Sequence, residues 1–331
     1  MGYLPSPEIS VVIVTPDSFT TIRNTIACLS KQTAKDQMEV VIVSPSAECI
    51  NTNSPELSAF RWVKIVELRN IESIAQGNAA GIRRATAPVV VLAEDHSFPT
   101  PDWAQALIEA HQQPWAAVGP VVYNANPGSA ISWADFLIGY GHWIDPGRKG
   151  TVDHLPGHNS SYKSKVLLEY GSKLEGMLEA ESVLHWDLRK KGYQLYLDPA
   201  AKIYHVNFGL MSSWIPVQFH GGRMFAATRA QYWSIPRRLL YAACSPLIPA
   251  VRFSRIVRKL KGSESPHNIP RGTFPALAIG LLVSALGEML GYALGAGEAK
   301  QKLADLEFHR IRHISERDRL FIEDNEALKG L

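Results

Sequence analysis

The feature that most constrains this chain is a series of short, largely apolar runs, the first β-branched and apolar on both faces, each separated from the next by polar loop or helical spacing. Ile9-Ser10-Val11-Val12-Ile13-Val14 is the first, Met38 to Val43 the second, Phe60 to Leu68 the third, Pro88 to Ala93 the fourth and Trp115 to Tyr123 the fifth. A strand with no polar face is buried on both sides, as in a parallel sheet covered by helices. Thr21 to Gln32 has helical spacing, with Ile22, Ile26 and Leu29 on one side. Ser73 to Thr86 is a helix with small residues at Ala79, Ala80 and Gly81, and Pro101 to Gln112 is a helix with its proline near the start. The alternation gives an α/β fold, a mostly parallel sheet flanked by helices. Ligands of such sheets gather at the carboxyl ends of the strands, where Glu94-Asp95-His96 stands. Residues 124 to 156 read as loop, rich in Gly, aromatics and His. Lys165 to Tyr170 and Glu179 to Lys191 read as helices, the second closed by Gly192, and Tyr193 to Leu197 and Lys202 to His205 as two short strands.

With 331 residues, 46% of them apolar, the chain can bury a substantial core, as one large domain plus an appendage or as two modest domains. The net charge is only +3, which does not call for a nucleic-acid partner. Its distribution is uneven: no acid lies between Asp198 and Glu264, a stretch with ten lysines and arginines. Such asymmetry fits an anionic surface: membrane lipid, polyphosphate or nucleic acid. Residues 237 to 261 mix arginines with Leu, Ile, Val and Tyr, interrupted by Pro246 and Pro249, and read as interfacial helices in an anionic leaflet. Between Arg271 and Glu298 the only charge is Glu288, so 272 to 297 is long enough to span a bilayer, although Glu288 must then be paired. Gly280, Ser284, Gly287, Gly291 and Gly295 form a small-residue face on which a helix, including one of a second copy, can pack. The tail from Lys300 is charged and helical in pattern. The expected division is 1–208 catalytic, 209–270 basic amphipathic, 271–297 membrane-embedded and 298–331 tail. Cys28, Cys49 and Cys244 have neither disulfide-framework nor zinc spacing, which fits a reducing compartment. Met1 to Pro7 has no secretory signal pattern, so the expected location is the cytoplasmic face of the cell membrane, membrane-associated or single-span.

Three constellations carry chemistry. Glu94-Asp95-His96 offers carboxylates and an imidazole that can hold a divalent cation against a diphosphate. Gly157-His158-Asn159-Ser160-Ser161-Tyr162-Lys163 puts a glycine and polar groups before a helix, where backbone N–H groups meet a ligand. Glu181, near a helix start, can act as a general base. Each is weak alone. In this order they resemble glycosyltransferase family 2, whose catalytic domain has the GT-A fold, a Rossmann-like sheet. The resemblance covers roughly residues 8 to 208. It rests on Ile9 to Pro16, on Gln76-Gly77-Asn78-Ala79-Ala80-Gly81-Ile82, on Val90 to His96 with the Pro101-Asp102-Trp103 that follows, on the Gly157 loop, and on Glu181 to Gly192 with Tyr204-His205.

The resemblance implies a nucleotide-sugar donor bound by Thr15, Pro16, Asn78, Gly81, Glu94 and Asp95. It implies a divalent cation, manganese or magnesium, on Asp95, His96 and His205. Gly157, His158 and Asn159 would lie near donor and acceptor, and Glu181 would be the base of an inverting transfer to a hydroxyl. The acceptor would be a glycan or lipid-linked molecule, as in polysaccharide or glycolipid synthesis at the membrane. Three positions depart from the pattern. His96 stands where an aspartate usually binds the metal. Ala180 stands where the first acid of the pair belongs, and Ser44-Pro45-Ser46 where an aspartate usually reads the nucleobase. These departures keep open a non-catalytic membrane-attached subunit that binds nucleotide-sugar or glycan. A nucleotidyltransferase would need a Gly-rich basic phosphate loop, which Thr15-Pro16-Asp17-Ser18 does not supply. A dinucleotide oxidoreductase would need GxGxxG after the first strand, which is missing.

Overall fold

The structure is a computed structural model that describes residues 6–144, 148–261 and 268–324. The described residues form two compact units, one running to Val121 and from 148 to Tyr204, the other from Val122 to 144 and from His205 onward. Residues 122–144, expected within the first domain, thus belong to the second unit. The division falls inside two strands, β6 and β9 below, which are given whole with their sheet.

The first unit begins β1 (Ile9–Val14), α1 (Phe19–Leu29), β2 (Met38–Ser44), α2 (Pro55–Ser58), β3 (Trp62–Glu67), α3 (Ile74–Ile82), β4 (Val89–Ala93), β5 (Ser97–Pro99) and α4 (Trp103–Ala110). It continues through β6 (Ala117–Asn124), then past α5 (Ala130–Tyr140, in the second unit) to β7 (Gly150–Val152), β8 (Ser161–Lys163), α6 (Ser164–Leu168), α7 (Leu174–Leu178), α8 (Glu181–Lys190) and β9 (Leu195–His205). The sheet order is β3-β2-β1-β4-β8-β6-β9-β5, with β7 also on β9. The strands β3, β2, β1 and β4 are parallel; β1, β2 and β4, apolar on both faces, are buried at every residue, whereas β3 is a half-exposed strand carrying Lys64 and Glu67. From β8 onward the recorded pairings are antiparallel. The small residues of α3 do what close packing requires: a Cβ on Gly81 would collide with Val12, and one on Gly77 would lie 2.7 Å from Val14 Cγ1, so the helix rests directly on β1.

Two expectations change. The region 124–156 contains the eleven-residue helix α5, whose apolar aromatics make a buried face that composition disguised as loop. The two short strands near the end are one, β9; Asp198-Pro199 reads as a break, but pairing along a sheet overrides the local turn signal.

Two buried histidines make this unit acid-labile. Burial pushes His111 down to about 4, helped by the Lys163 charge, and His185 down to about 3, helped by His154. Both stay neutral in the fold, whereas the unfolded chain protonates them below about 6.5. Stability is therefore full above pH 6.5 and falls steadily as pH drops towards 4. Denaturant midpoints across that range check this, and a flat profile contradicts it.

The second unit holds α5 and then α9 (Met211–Arg229), α10 (Ile235–Cys244), a 3-10 turn at Ser245–Leu247, α11 (Ile248–Lys261), α12 (Thr273–Leu294), α13 (Ala299–Glu307) and α14 (Glu316–Asp324). Buried Asp135 of α5 ties it together, accepting from Phe208 N (3.0 Å), Trp214 Nε1 (3.1 Å) and Gln218 Nε2 (2.9 Å), with Arg310 Nη1 at 3.5 Å. The charged tail is thus part of this unit. The small-residue face of α12 is occupied within the chain: Cβ atoms on Gly287 or Gly291 would collide with the Phe219 and Arg223 carbonyls of α9, and one on Gly222 with the Ser284 carbonyl. The expected packing of a second copy on this face is corrected accordingly, because α9 already fills it. Gly287→Val should destabilise this unit by about 3 kcal/mol or more, since backbone cannot yield as a side chain does. Chemical denaturation measures it; a loss within error of zero contradicts the packing.

Candidate active site

The parallel strands β1, β2 and β4 end on one side, at Val14, Ser44 and Ala93. The chain leaves β4 through Glu94-Asp95-His96, and all three residues are buried. Buried charge must be paired or hydrogen-bonded. Glu94 Oε2 accepts from Ser97 Oγ (2.8 Å) and Asn159 Nδ2 (2.9 Å), and Asn159 also donates to Ser97 Oγ (3.0 Å). Thr25 Oγ1 of α1 donates to the Glu94 carbonyl at 2.9 Å, fixing the turn from the other side. The second carboxylate oxygen, Oε1, faces two imidazoles, His96 Nε2 at 3.4 Å and His158 Nδ1 at 3.8 Å. Asp95 Oδ1 lies 2.5 Å from His96 Nδ1 and orients that ring.

The Gly157 loop is drawn in by backbone bonds to β4. Asn159 N–H donates to the Leu92 carbonyl at 2.6 Å, with φ at 63°, a left-handed conformation that Asn tolerates better than most residues. Gly157 faces Glu181: a Cβ there would sit 2.5 Å from the Glu181 Cδ, so any larger residue displaces the carboxylate. Glu181 is the first residue of α8, and its Oε1 lies 3.2 Å from His158 Nε2. His158 therefore stands between the two carboxylates, one ring nitrogen towards each. One turn along α8, His185 receives the Leu155 N–H on Nδ1 (3.4 Å) and meets the Tyr162 hydroxyl with Nε2 (2.9 Å), which fixes the helix behind the site. Burial pushes the Tyr162 hydroxyl well above its ordinary pKa, with the Glu181 charge adding to it, so it stays protonated.

The structure brings Glu94, Asp95, His96, Gly157, His158, Asn159 and Glu181 together. Ser97, near a strand end, and Thr25, within α1, hold the Glu94 turn and carried no signal in the sequence beyond being hydroxyls. Thr15 closes β1, its N–H on the Val43 carbonyl (2.9 Å) and its hydroxyl on the Ser18 carbonyl (2.8 Å), with Pro16 next. Asn78 lies buried on α3 with Oδ1 lacking a hydrogen-bond partner among the described residues. Gly81 serves the contact of α3 with β1. Ala180 is buried at the start of α8, and Glu179 before it accepts from Ser73 Oγ at 2.8 Å. The Ser44 hydroxyl donates to the Ser46 carbonyl (2.9 Å), and no carboxylate takes its place at that position.

For a metal ion, Glu94, His96 and His205 (the last residue of β9) each offer a ligand atom within 4.8 Å of the others. The carboxylate of this set is Glu94, where the sequence pattern had pointed to Asp95; Asp95 instead holds the His96 ring. The donor set fits a cation. Proton sharing of His96 Nδ1 with Asp95, and of His205 Nδ1 with Asn207 Oδ1 (3.0 Å), leaves a lone pair on each Nε2, the tautomer of a metal-bound histidine. Two imidazoles and one carboxylate suit manganese better than magnesium, which takes oxygen ligands.

A largely parallel α/β sheet with a buried acidic turn at its strand ends, faced by a second carboxylate on a helix start, defines a group-transfer domain of GT-A type. Residues 10–171, just under half of the chain, match the family model for glycosyl transferase family 2. The matched stretch takes in Glu94 to His96 and the Gly157 loop and stops before Glu181. Among solved structures, the chain resembles the crystal structure of S. aureus TarS 1–349 in complex with UDP, at 15% identity and a TM-score of 0.43 over 89% of this chain and 91% of that one. A likeness that remote assigns no ligand to this chain. No curated protein matches it.

Proposed function

We propose that this glycosyltransferase moves a sugar from a nucleotide-sugar donor to an acceptor hydroxyl by a single displacement that inverts the anomeric carbon. The observation that carries this reading is the meeting of two carboxylates through one imidazole: Glu94, buried at the strand end, and Glu181, the first residue of α8, on either side of His158. Glu181 takes the proton of the acceptor hydroxyl as that oxygen bonds to the anomeric carbon and the bond to the nucleoside diphosphate breaks. Glu94, His96 and His205 would hold a divalent cation, which supplies positive charge to the departing diphosphate. Asp95 and Asn207 keep the two imidazoles in the ligating tautomer, and Asn159 with Ser97 holds Glu94 in place. Thr15, Pro16 and Asn78, at or behind the strand ends, complete the donor side of the proposal; Gly81 is left to packing. The acceptor we propose is a glycan or lipid-linked hydroxyl at the cytoplasmic face of the membrane, supported by the apolar helix Thr273–Leu294 and the acid-free basic stretch before it.

The donor set makes a specific demand. Chelation with EDTA should abolish transfer, and manganese should restore it more fully than magnesium. Activity that survives exhaustive chelation would remove the cation from this account.

The second reading, a binding subunit without catalysis, is favoured by Ala180, which leaves Glu181 without the neighbouring acid of the family pattern. It predicts donor binding that Glu181→Gln leaves unchanged and no turnover by either protein.

A further inference from the structure

The helix α10 and the start of α11 turn apolar side chains outward and arginines inward. In a water-facing domain an amphipathic helix turns its leucines inward and its arginines outward. Here Arg238 points inward, its Nε donating to the Tyr292 carbonyl of α12 at 2.8 Å. Arg252 of α11 does the same, reaching Glu288 (3.6 Å) and the Ser284 hydroxyl (3.3 Å) on α12. These contacts also give Glu288, the lone charge of the apolar run, its partner. The apolar residues go the other way: Ile235, Leu239, Leu240, Leu247 and Val251 are exposed, Ile235 by 71% and Leu247 by 68%. Exposed apolar residues in this number along one stretch of α10, the turn and the start of α11 mark a surface built for something other than water.

We propose that α10, the 3-10 turn and α11 dock in the plane of an anionic lipid leaflet, and that α12 supports them from within the fold rather than crossing the bilayer. This deepens the membrane reading above and is independent of the chemistry at Glu181. Two observations choose lipid as the occupant. The apolar ridge runs into exposed Arg255, Arg258 and Lys261, and no acid occurs anywhere between Asp198 and Glu264, so the surface complements anionic headgroups. Tyr232, 80% exposed, and Trp233, with Arg237 stacked 4.0 Å from its ring centroid, open the segment with the aromatic and basic residues that favour the headgroup level. Against a crossing by α12, half of its apolar stretch is buried in the fold, and its small-residue face lies on α9, which carries Gln218, His220, Arg223 and Arg229. A spanning α12 would take those polar groups into hydrocarbon with it.

The test uses the purified full chain and preformed vesicles of phosphatidylcholine, with and without phosphatidylglycerol. The wild type should co-sediment with the anionic vesicles and not the neutral ones. Arg255→Glu with Arg258→Glu should weaken partition by about tenfold or more, as loss of two surface cations predicts. Leu240→Glu with Leu247→Glu should abolish it, while circular dichroism and the thermal midpoint stay near wild-type values because both side chains are exposed, by 61% and 68%. In cells, alkaline carbonate should release the protein from washed membranes. Wild type that ignores anionic vesicles overturns the proposal. So does self-association, or an acidic protein partner, that the leucine variants abolish in the absence of vesicle binding. Retention after carbonate overturns the placement of α12 within the fold rather than across the bilayer. Donor turnover in solution is measured alongside, so loss of docking with turnover intact, or the reverse, separates this inference from the catalytic one.

Discussion

Glu181→Gln should lower transfer by about a thousandfold or more while leaving donor affinity within a factor of about two. The substitution keeps the size and position of the side chain and removes its capacity to take a proton. His158 Nε2, 3.2 Å from Glu181 Oε1, can donate equally to an amide oxygen, so the site keeps its shape. The effect should therefore fall on kcat, with KM for the donor nearly unchanged, the signature of a group that acts in the transition state. Gly157→Ala is the companion test from the opposite wall. Its new Cβ would press on the carboxylate, so kcat should fall although Glu181 is still present. Substantial turnover by folded Glu181→Gln protein would remove the residue from the mechanism.

Glu94→Ala should be the more damaging change, because Glu94 joins two functions. It is the carboxylate of the Glu94, His96, His205 set, and it is the acceptor for Ser97 and Asn159. Its loss should reduce kcat/KM by about a thousandfold, with donor binding falling too. It should also cost about 1–3 kcal/mol of stability, since Asn159 and Ser97 are buried and lose their partner. Glu94→Gln separates the two roles. The amide oxygen still accepts from Ser97 and Asn159, so stability should return most of the way, but a neutral ligand should not restore manganese-dependent activity. Equal activity loss with equal destabilisation in both variants would make Glu94 a structural residue alone.

The sheet was legible because its physics is local. Runs such as Val89–Ala93, buried on both faces, have few alternatives to a parallel strand, and an acidic turn at such a strand end is where ligands collect. Glu181 and the Gly157 loop were legible only through their order along the chain, since neither pattern alone separates a site from an ordinary loop or helix. What pattern could not supply was pairing across long separations. That Asn159 holds Glu94, that Thr25 braces the same turn, and that Glu94 rather than Asp95 faces His96 Nε2 are consequences of the fold closing. The helix α5 was hidden for a different reason. Its Gly- and aromatic-rich sequence has weak periodicity, and burial of Trp133, Phe136 and Leu137 decides its conformation. The glycines of α12 were read as a helix-packing face, and they are; the partner is α9 of the same chain, which spacing alone does not specify.

The central claim is that the two carboxylates around His158 perform inverting sugar transfer. The most direct measurement incubates the purified full chain with manganese and a panel of nucleotide-sugars, with simple hydroxyl acceptors or water, and follows the anomeric proton by NMR. The account predicts that at least one donor is consumed, that the first product has the opposite anomeric configuration, and that Glu181→Gln binds the same donor without consuming it. A first product of retained configuration, or donors that bind by calorimetry and are never consumed by the wild type, would contradict it.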